Sequence, residues 1–301
     1  MDRLHLMTAF VAVAEEESFA AGARRLGMSP PAVTRAIAAL ENHLGVKLLN
    51  RTTRYVRVTD AGSRYLDDAR RIIGEMDEAD EAAAGINAEP RGHLAVTAPV
   101  LFGKLFVVPG IVDYLQRYPD MEVSAVFLDR VVNLLEEGFD VGIRIGELPD
   151  SSMRAIRVGQ VRRVLCASPG YLAENGMPNS PSELNNHKIV TSSTVSPTVD
   201  WKFAQGYTVR VKPRLTVNSN DAAIGAIISG MGITRLLSYQ IEGYLASHQL
   251  QTLLTEFEPQ PLPIHVINRE GRYASAKVRT FVDLIVASLR SVQVLNHHDQ
   301  L

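Results

Sequence analysis

Two short amphipathic helices with a break between them constrain the fold more than any other stretch of this chain. The first helix is predicted from Phe19 to Leu26, and Gly27–Ser29 forms the break. Ser29 and Pro30 then supply a favourable N-cap and a first helical residue whose missing N–H costs nothing. In the second helix, apolar residues recur at the spacing of a buried face. They are Val33, Ile37, Leu40 and Leu44.

This pattern fits a helix-turn-helix, in which the first turns of the second helix enter the major groove of DNA. Thr34, Arg35 and Ala38 lie off the apolar face, near the N-terminal end of that helix. The same spacing also fits an ordinary helical hairpin within a larger fold. The pattern alone favours neither, so the rest of the chain must distinguish them.

A basic block around these helices is followed directly by an acidic one. Residues 18–60 contain seven Lys and Arg against two acidic residues, a net charge of +5. Residues 61–90 contain three against eight, a net charge of −5, although the whole chain carries only −2. Such a reversal indicates a domain boundary, and the basic part is a candidate surface for phosphate.

The hydrophobic period changes after Leu44, which predicts a β-hairpin. Gly45 is placed to end the second helix, and β-prone residues flank the basic segment Asn50–Arg54. Two strands around a basic tip would complete a winged helix-turn-helix, in which Arg51 and Arg54 reach phosphates or the minor groove. A solvated charged loop is the alternative interpretation.

A long helix is predicted from Ala61 to about Ile86, with Thr59 as its cap. At roughly 1.5 Å per residue it would span about 40 Å, too long to be buried on a domain of about 60 residues. Its apolar spacing resembles a short coiled-coil seam, which favours pairing with a second copy. Packing against its own C-terminal domain is the alternative. The seam residues are Leu66, Ala69, Ile73, Met76 and Ala83, flanked by Tyr65, Ile72, Ala79 and Ile86.

Beyond a hinge at Ala88–Gly92, strand and helix patterns alternate, which predicts an α/β fold with a mostly parallel sheet. One of the predicted helices spans Arg130–Glu137. A strand near Ile264–Asn268 suggests that the chain crosses back to the first of two lobes. A cleft between such lobes, where strand ends and helix N-termini meet, suits small and often anionic ligands.

Other classes of function find little support in the sequence. It has no phosphate-binding glycine loop, no G-x-S-x-G and no metal-ligand spacing, so no enzyme, cofactor or metal is expected. The single Cys166 excludes an internal disulfide, and its apolar strand predicts a core residue. His297–His298 stands in a polar tail and is not expected to bind metal. Without a signal peptide or a membrane-length apolar run, a cytoplasmic location is expected.

Several ordered motifs resemble LysR-type transcriptional regulators. The N-terminal segment AVAEEESFAAGARRLGMSPPAVTRAIAALENHLGVKLLNRTTRYVRVTDAG is similar to their DNA-binding domain. The resemblance continues through YPDMEVS, LLEEGFDVGIRIGELPDSS, VLCASPGYLAENGMP, SELNNH and AIISGMGI, and so covers nearly the whole chain. NRTTR and GFDVGIRIGELPDSS resemble the subgroup of CrgA-like regulators.

The resemblance implies a winged helix-turn-helix, a long linker helix and a two-lobed effector domain like the type 2 periplasmic binding proteins. The DNA-binding domain would span 1–60, with the helix-turn-helix at about 19–38, and the linker helix 61–88. The effector domain would span 89–301. Its lobe I would comprise about 89–162 and 267–301, and its lobe II about 163–266.

The resemblance further implies a homodimer or homotetramer that binds double-stranded promoter DNA and no membrane. A small-molecule co-inducer in the cleft would alter the DNA geometry and hence transcription. The DNA contacts carried over by position are Pro30, Thr34, Arg35, Arg51 and Arg54. The expected effector contacts are Pro99, Val100, Leu101, Phe102, Ile145, Gly146, Thr194, Ser219 and Asn220.

The chain departs from the family pattern at Pro30, at Pro99–Leu101 and at Leu237, which replaces a commonly found proline. Many members have Gln where this chain has Pro30, so more of the base reading would fall to Thr34, Arg35 and DNA shape. Many also have a hydroxyl residue near Pro99–Leu101, where this chain has none, which suggests a ligand less polar than a simple carboxylate. Two other functions stay open from the sequence: a cytoplasmic small-molecule-binding protein or enzyme on the same scaffold, and an architectural DNA binder with a vestigial cleft.

Overall fold

The chain forms two compact units in the computed structural model. Unit 1 comprises Met1–Ala88 with Tyr273–Ala276, and unit 2 comprises Glu89–Arg272 with Lys277–Leu301. The structure describes residues 2–51, 56–84, 89–148, 153–193, 199–269 and 275–296. In the described residues, no helix is both long and apolar enough to cross a membrane.

Unit 1 begins with three helices joined by tight turns. They are α1 (Arg3–Glu15), α2 (Phe19–Arg25) and α3 (Pro30–Leu44). Gly45 ends α3 with φ of 69°, a left-handed conformation that glycine adopts without the penalty of a Cβ. Ser29 occupies the N-cap position as predicted, but its side chain makes no capping hydrogen bond.

One core joins these helices and explains why α3 keeps a fixed orientation. The predicted apolar face of α3 is inaccessible at Val33, Ile37 and Leu40, and it packs with Phe10 and Val13 of α1. Leu44, the fourth residue of that face, is only partly buried. The helix-turn-helix predicted from the spacing is therefore confirmed.

The wing and the long helix follow directly. Strands β1 (Leu49–Arg51) and β2 (Val56–Val58) pair antiparallel, which confirms the predicted hairpin. Helix α4 then runs from Asp60 to Ala84. Thr59 caps it, since its Oγ1 accepts a 2.9 Å hydrogen bond from the backbone N–H of Gly62.

The predicted apolar seam of α4 is partly a core face of unit 1, and pairing of the remainder with a second copy stays a prediction. Ala69 is inaccessible, and Leu66 and Ile73 pack against the same core as α1 and α3. Ile72 and Met76 stay 39% and 43% exposed. The side chains of Ala79, Ala83 and Ile86 lie outside the described residues.

Unit 2 alternates strands and helices. Its strands are β3 (Gly92–Ala98), β4 (Met121–Phe127), β5 (Val141–Ile145), β6 (Met153–Val161), β7 (Arg163–Ala167), β8 (Ile189–Ser192), β9 (Asp200–Lys202), β10 (Thr208–Arg210), β11 (Pro213–Val217), β12 (Thr234–Leu237), β13 (Gln251–Leu253) and β14 (Leu262–Arg269). Its α-helices are α5 (Val100–Phe102), α6 (Val108–Arg117), α7 (Pro169–Asn175), α8 (Asn220–Ile228) and α9 (Ser238–Ala246). Helix α10 (Ala276–Ser291) follows, and a π-helical turn, Gly103–Val107, joins α5 to α6.

The strands form two groups, which correspond to two lobes. The first is a five-stranded sheet in the order β4-β3-β5-β14-β6. The second comprises β12-β7-β13 and the pair β11-β8, which a single parallel bridge between Ile189 and Ile233 brings together. A separate hairpin, β9 with β10, adds to it.

The sheets are mixed, so the prediction of a mostly parallel sheet was wrong. Strands β4 and β5 run parallel to β3, whereas β14 runs antiparallel to β5 and β6. The reason lies in the connections between the lobes. Strand β6 leads into the second group and β14 returns from it, so the two adjacent strands run in opposite directions. The chain re-enters the five-stranded sheet at Leu262, a little earlier than the expected lobe boundary near 267.

The prediction of a helix over Arg130–Glu137 was also wrong, because this segment forms bends and turns. The side chain of Asn133 accepts a hydrogen bond from the N–H of Leu135 at 3.1 Å, a local bond that competes with helix formation. Gly138 follows with φ of 74°. The result is an irregular segment between β4 and β5.

Candidate DNA-binding face and effector cleft

The N-terminal turns of α3 present the residues that the sequence nominated for DNA contact. Pro30 and Arg35 are exposed and Thr34 is partly exposed, whereas Val33 and Ile37 of the same helix are buried. In the described part of the chain, no hydrogen bond or ion pair engages the guanidinium of Arg35. Because Pro30 has no N–H and no polar side chain, Thr34 and Arg35 are the two of these three residues that carry polar groups.

Part of the basic charge of unit 1 is already neutralised. Glu15 accepts hydrogen bonds from Arg25 at 2.6 Å and from Arg70 at 2.8 Å, which tie α2 and α4 to α1. Burial raises the pKa of the Glu15 carboxyl, but the bonds from Arg25 and Arg70 outweigh it and leave that pKa below its usual value. Arg25 is therefore a structural cation, whereas Arg35 pairs with no acidic group among the residues described.

The wing residues can be placed only in part. Arg51 ends β1 opposite Val56, and its side chain lies outside the described residues. Arg54 falls in the segment 52–55, which also lies outside them. The contacts predicted for both arginines stay predictions.

In unit 2, strand topology brings the nominated effector contacts to two sheet edges. Strands β3 and β5 are parallel neighbours, so Pro99 after β3 and Gly146 after β5 follow carboxyl ends at the same edge. Strands β8 and β11 are also parallel, and Ser219 follows the carboxyl end of β11. Such edges are where α/β folds bind ligands. Thr194, which follows β8, lies outside the described residues.

A carboxylate occupies the start of α5. Oδ1 of Asp129 accepts a 2.9 Å hydrogen bond from the backbone N–H of Val100. Burial raises the pKa of Asp129, the bond from Val100 opposes that rise, and the negative charge of Asp221 on α8 adds to it. Asp129 belongs to the first lobe and Asp221 to the second, so two acidic groups approach each other between the lobes.

Aromatic rings meet at the same place. The ring of Tyr239 on α9 lies edge-on to Phe102 at 5.4 Å and to Phe106 at 5.8 Å between centroids. Phe102 is inaccessible and Leu101 nearly so, whereas Val100 is exposed. Of these nominated residues, Val100 is therefore accessible to a ligand. The side chain of Phe102 is packed in the core and is not accessible.

The remaining nominated residues have structural partners. Asn220 is buried and accepts a 2.7 Å hydrogen bond from Oγ of Ser192, which links α8 to β8. Ser219 caps α8 through a 3.4 Å bond from the N–H of Ala222. Ile145 is half-buried, and Gly146 has φ of 119°, so the chain can turn after β5.

Cys166 is a core residue, as its sequence context predicted. It is inaccessible, and burial raises the pKa of its thiol to about 12. In the described ranges, no three His, Cys, Asp or Glu side chains come together to hold a metal ion. His297–His298 lies outside those ranges.

Sequence reasoning missed Asp129, Asp221 and Tyr239. Asp129 follows directly after β4, which pairs in parallel with β3, so the rule that ligand contacts follow parallel strand ends could have indicated it. Asp221 stands in the first turn of α8, beside the nominated Asn220. Tyr239 had no comparable signal, because its approach to Phe102 depends on how the lobes pack.

Comparison with known proteins assigns this architecture to a family. Residues 4–63 match the model of the bacterial regulatory helix-turn-helix protein, lysR family, and residues 87–290 match that of the LysR substrate binding domain. The chain is 32% identical to the regulator CrgA of Neisseria meningitidis serogroup B, over 94% of this chain and 96% of CrgA. It is 33% identical to a transcriptional repressor of Pseudomonas aeruginosa, over 95% and 92% of the two chains.

Solved structures agree with these matches. The structure of CrgA from Neisseria meningitidis, a LysR-type transcriptional regulator, superposes with a TM-score of 0.61 at 32% identity, covering 95% of this chain and 98% of that one. The full-length virulence activator AphB of Vibrio cholerae gives 0.61 at 26% identity, with coverage of 95% and 99%. This chain belongs to the LysR family of bacterial helix-turn-helix transcriptional regulators.

Proposed function

We propose that this chain regulates transcription by binding double-stranded promoter DNA through α3 and the wing, under the control of a small molecule in the cleft of unit 2. One observation carries the DNA-binding part. Arg35 is exposed beside Thr34 and has no ion-pair partner among the residues that the structure describes, on the first turns of a helix whose other face is buried in a core. An arginine in that position can form a bidentate contact with guanine, and a threonine can contact a base edge or a thymine methyl group.

The binding form is a homodimer or homotetramer. Helix-turn-helix proteins read two half-sites about one helical turn apart, which requires two copies. Unit 1 exposes Ile72 and Met76 on α4, and unit 2 exposes the stripe Leu105, Val108 and Val112 along the π-helical turn and α6. Two separate apolar surfaces, each used in a two-fold contact, are sufficient to build a tetramer from dimers.

The effector is a neutral or cationic compound with an apolar body. The start of α5 is a poor site for an anionic ligand, because Asp129 already accepts the N–H of Val100 there. Asp221 adds a second negative charge nearby, while the exposed side chain of Val100 offers apolar surface above the buried rings of Phe102 and Tyr239. This charge balance disfavours a simple carboxylate, in agreement with the absence of a hydroxyl residue at Pro99–Leu101.

Selection of DNA by the full-length protein tests the function directly. A random pool of duplexes is incubated with the protein, and the bound fraction is amplified and sequenced over several rounds. We expect enrichment of a dyad-symmetric sequence with two half-sites. The promoters of the chromosome can then be searched for this sequence. A pool that stays random would contradict sequence-specific binding.

A further inference from the structure

The carboxylate of Glu41 is buried where the wing leaves the helix-turn-helix. Glu41 lies in the last turn of α3 and is only 3% exposed. Its Oε1 accepts hydrogen bonds from the backbone N–H groups of Leu48 at 3.0 Å and Leu49 at 3.2 Å. Its Oε2 accepts a 2.6 Å bond from the ammonium group of Lys47.

These hydrogen bonds give the carboxylate of Glu41 a structural role. A buried carboxylate is unfavourable unless hydrogen bonds replace its water. Burial alone would raise the pKa of Glu41, but the bonds from Lys47, Leu49 and Leu48 outweigh it and keep the pKa below its usual value. Two of the three donors belong to the backbone, so the carboxylate fixes the path of the chain and not only one side chain.

The same segment is held from the other side by the start of α4. Oγ1 of Thr59 donates a 2.8 Å hydrogen bond to the carbonyl oxygen of Lys47 and accepts one from the N–H of Gly62. The backbone N–H of Thr59 donates to the carbonyl oxygen of Leu48 at 2.9 Å. Gly62 approaches so closely that a Cβ there would lie 2.0 Å from that carbonyl oxygen.

We propose that Glu41 and Thr59 are positioning residues for DNA recognition, which fix the wing root, Lys47–Leu49, between α3 and α4. This inference rests on the proposed function, because it concerns how the wing meets DNA. Strand β1 begins at Leu49, inside the wing root, so any displacement of the root moves the whole hairpin. Glu41 touches no DNA in this scheme and acts only through the root.

The geometry of two simultaneous contacts explains why the wing root needs such fixing. The first turns of α3 and the tip of the wing must reach the major groove and the neighbouring backbone or minor groove in one orientation. Contacts of this kind tolerate displacements of only about 0.5 Å before they weaken. A wing that moves independently of α3 would keep base readout by Arg35 but lose its own contacts.

Two replacements of Glu41 separate positioning from packing. Glu41→Gln keeps an oxygen that can accept the N–H groups of Leu48 and Leu49, and it loses only the pair with the exposed Lys47. Glu41→Met fills the same space without an acceptor. Glu17→Gln removes an exposed charge from the same unit and serves as the control, and Thr59→Val tests the other side of the wing root.

The full-length variants are compared on the duplex selected by the wild-type protein, by hydroxyl-radical footprinting and by the dependence of Kd on salt. We expect Glu41→Met to lose protection at the flanks of each half-site while it keeps the central major-groove contacts. Its salt slope should fall by about one for each wing phosphate contact that is lost. Glu41→Gln and Glu17→Gln should keep the wild-type footprint, and Thr59→Val should lose flank protection in part.

A wild-type footprint and salt slope for a folded Glu41→Met would overturn the inference and leave DNA binding intact. If that variant does not fold, Thr59→Val decides by the same criterion. Failure of the wild-type protein to select any duplex would instead contradict the proposed function.

Discussion

The backbone N–H of Val100 bonds to the carboxylate of Asp129 at 2.9 Å, so the first helix of the effector domain starts on a negative charge from its own chain. Burial and the neighbouring Asp221 both raise the pKa of this carboxyl. The folded protein therefore disfavours the ionised form of Asp129, although the bond from Val100 partly compensates. Two consequences can be measured, one in stability and one in ligand choice.

Asp129→Asn should stabilise the protein near neutral pH, because an amide still accepts the N–H of Val100 without a partly buried charge. A raised folded-state pKa means that the wild type gains stability as pH falls through that pKa. The advantage of the variant should therefore shrink as pH falls from about 7 to about 4. Urea unfolding of both proteins across this pH range measures the difference in their free energies of unfolding. Asp120→Asn, at an exposed position, is the control. An advantage that is independent of pH would contradict the assignment.

The cleft should prefer cationic over anionic forms of one ligand body. Aromatic compounds that differ only in an amine, amide or carboxylate group provide the comparison, with the thermal shift of the full-length protein as the measurement. We expect amine and amide to stabilise the wild type more than carboxylate does. Asp129→Asn and Asp221→Asn should reduce the preference for the amine, since each removes one attractive charge. Stronger stabilisation by the carboxylate would refute the proposed ligand class.

Arg35→Ala should weaken binding to the selected duplex by about 1–3 kcal/mol and relax sequence preference at one position of each half-site. The reason is that Arg35 is exposed on α3 and makes no structural bond within the described ranges, so its loss should remove only the proposed base contact. Arg25→Ala is the matched control, because Arg25 pairs with Glu15 within the fold. Repeating the selection with each variant measures the preference. Unchanged preference in Arg35→Ala would remove it from the set of base readers.

Much of unit 1 could be predicted from the sequence because its signals are local. The signals of α3 depend on neighbours within a few turns. They are Ser29 at its N-cap, Pro30 as its first residue, the spacing of Val33, Ile37 and Leu40, and Gly45 at its end. Glu41 shows the limit of such reasoning. Its sequence context is an ordinary helix end, and its role depends on Leu48 and Leu49 folding back onto it.

Unit 2 was less predictable because its important contacts are distant in sequence. The direction of β14 depends on which lobe the chain returns from, and hydrophobic period carries no such information. The segment Arg130–Glu137 has helical composition, but the local bond of Asn133 competes with the helix. Asp129 and Asp221 become neighbours only through the packing of the lobes, so no motif joins them.

Met76→Glu should weaken self-association without unfolding unit 1. Met76 is 43% exposed on α4, so a charge there disturbs a paired surface but not the core. Analytical ultracentrifugation over a range of concentrations measures the effect, with the exposed Ser63→Glu as control on the same helix. Because two half-sites require two copies, affinity for the selected duplex should fall together with dimerisation. Wild-type association of Met76→Glu would assign the pairing surface to unit 2 alone.

The thiol of Cys166 should not react in the native protein. It is inaccessible, and burial raises its pKa to about 12, so the reactive thiolate is present at neutral pH on the order of one part in 100,000. Its sulfur lies 4.0 Å from the carbonyl oxygen of Thr234, a weak contact within the core. Because the chain has one cysteine, intact-mass measurement after iodoacetamide treatment reports on this site alone. We expect no added mass in buffer and complete modification in denaturant. Rapid alkylation of the folded protein would contradict this and would show that the strand carrying Cys166 opens.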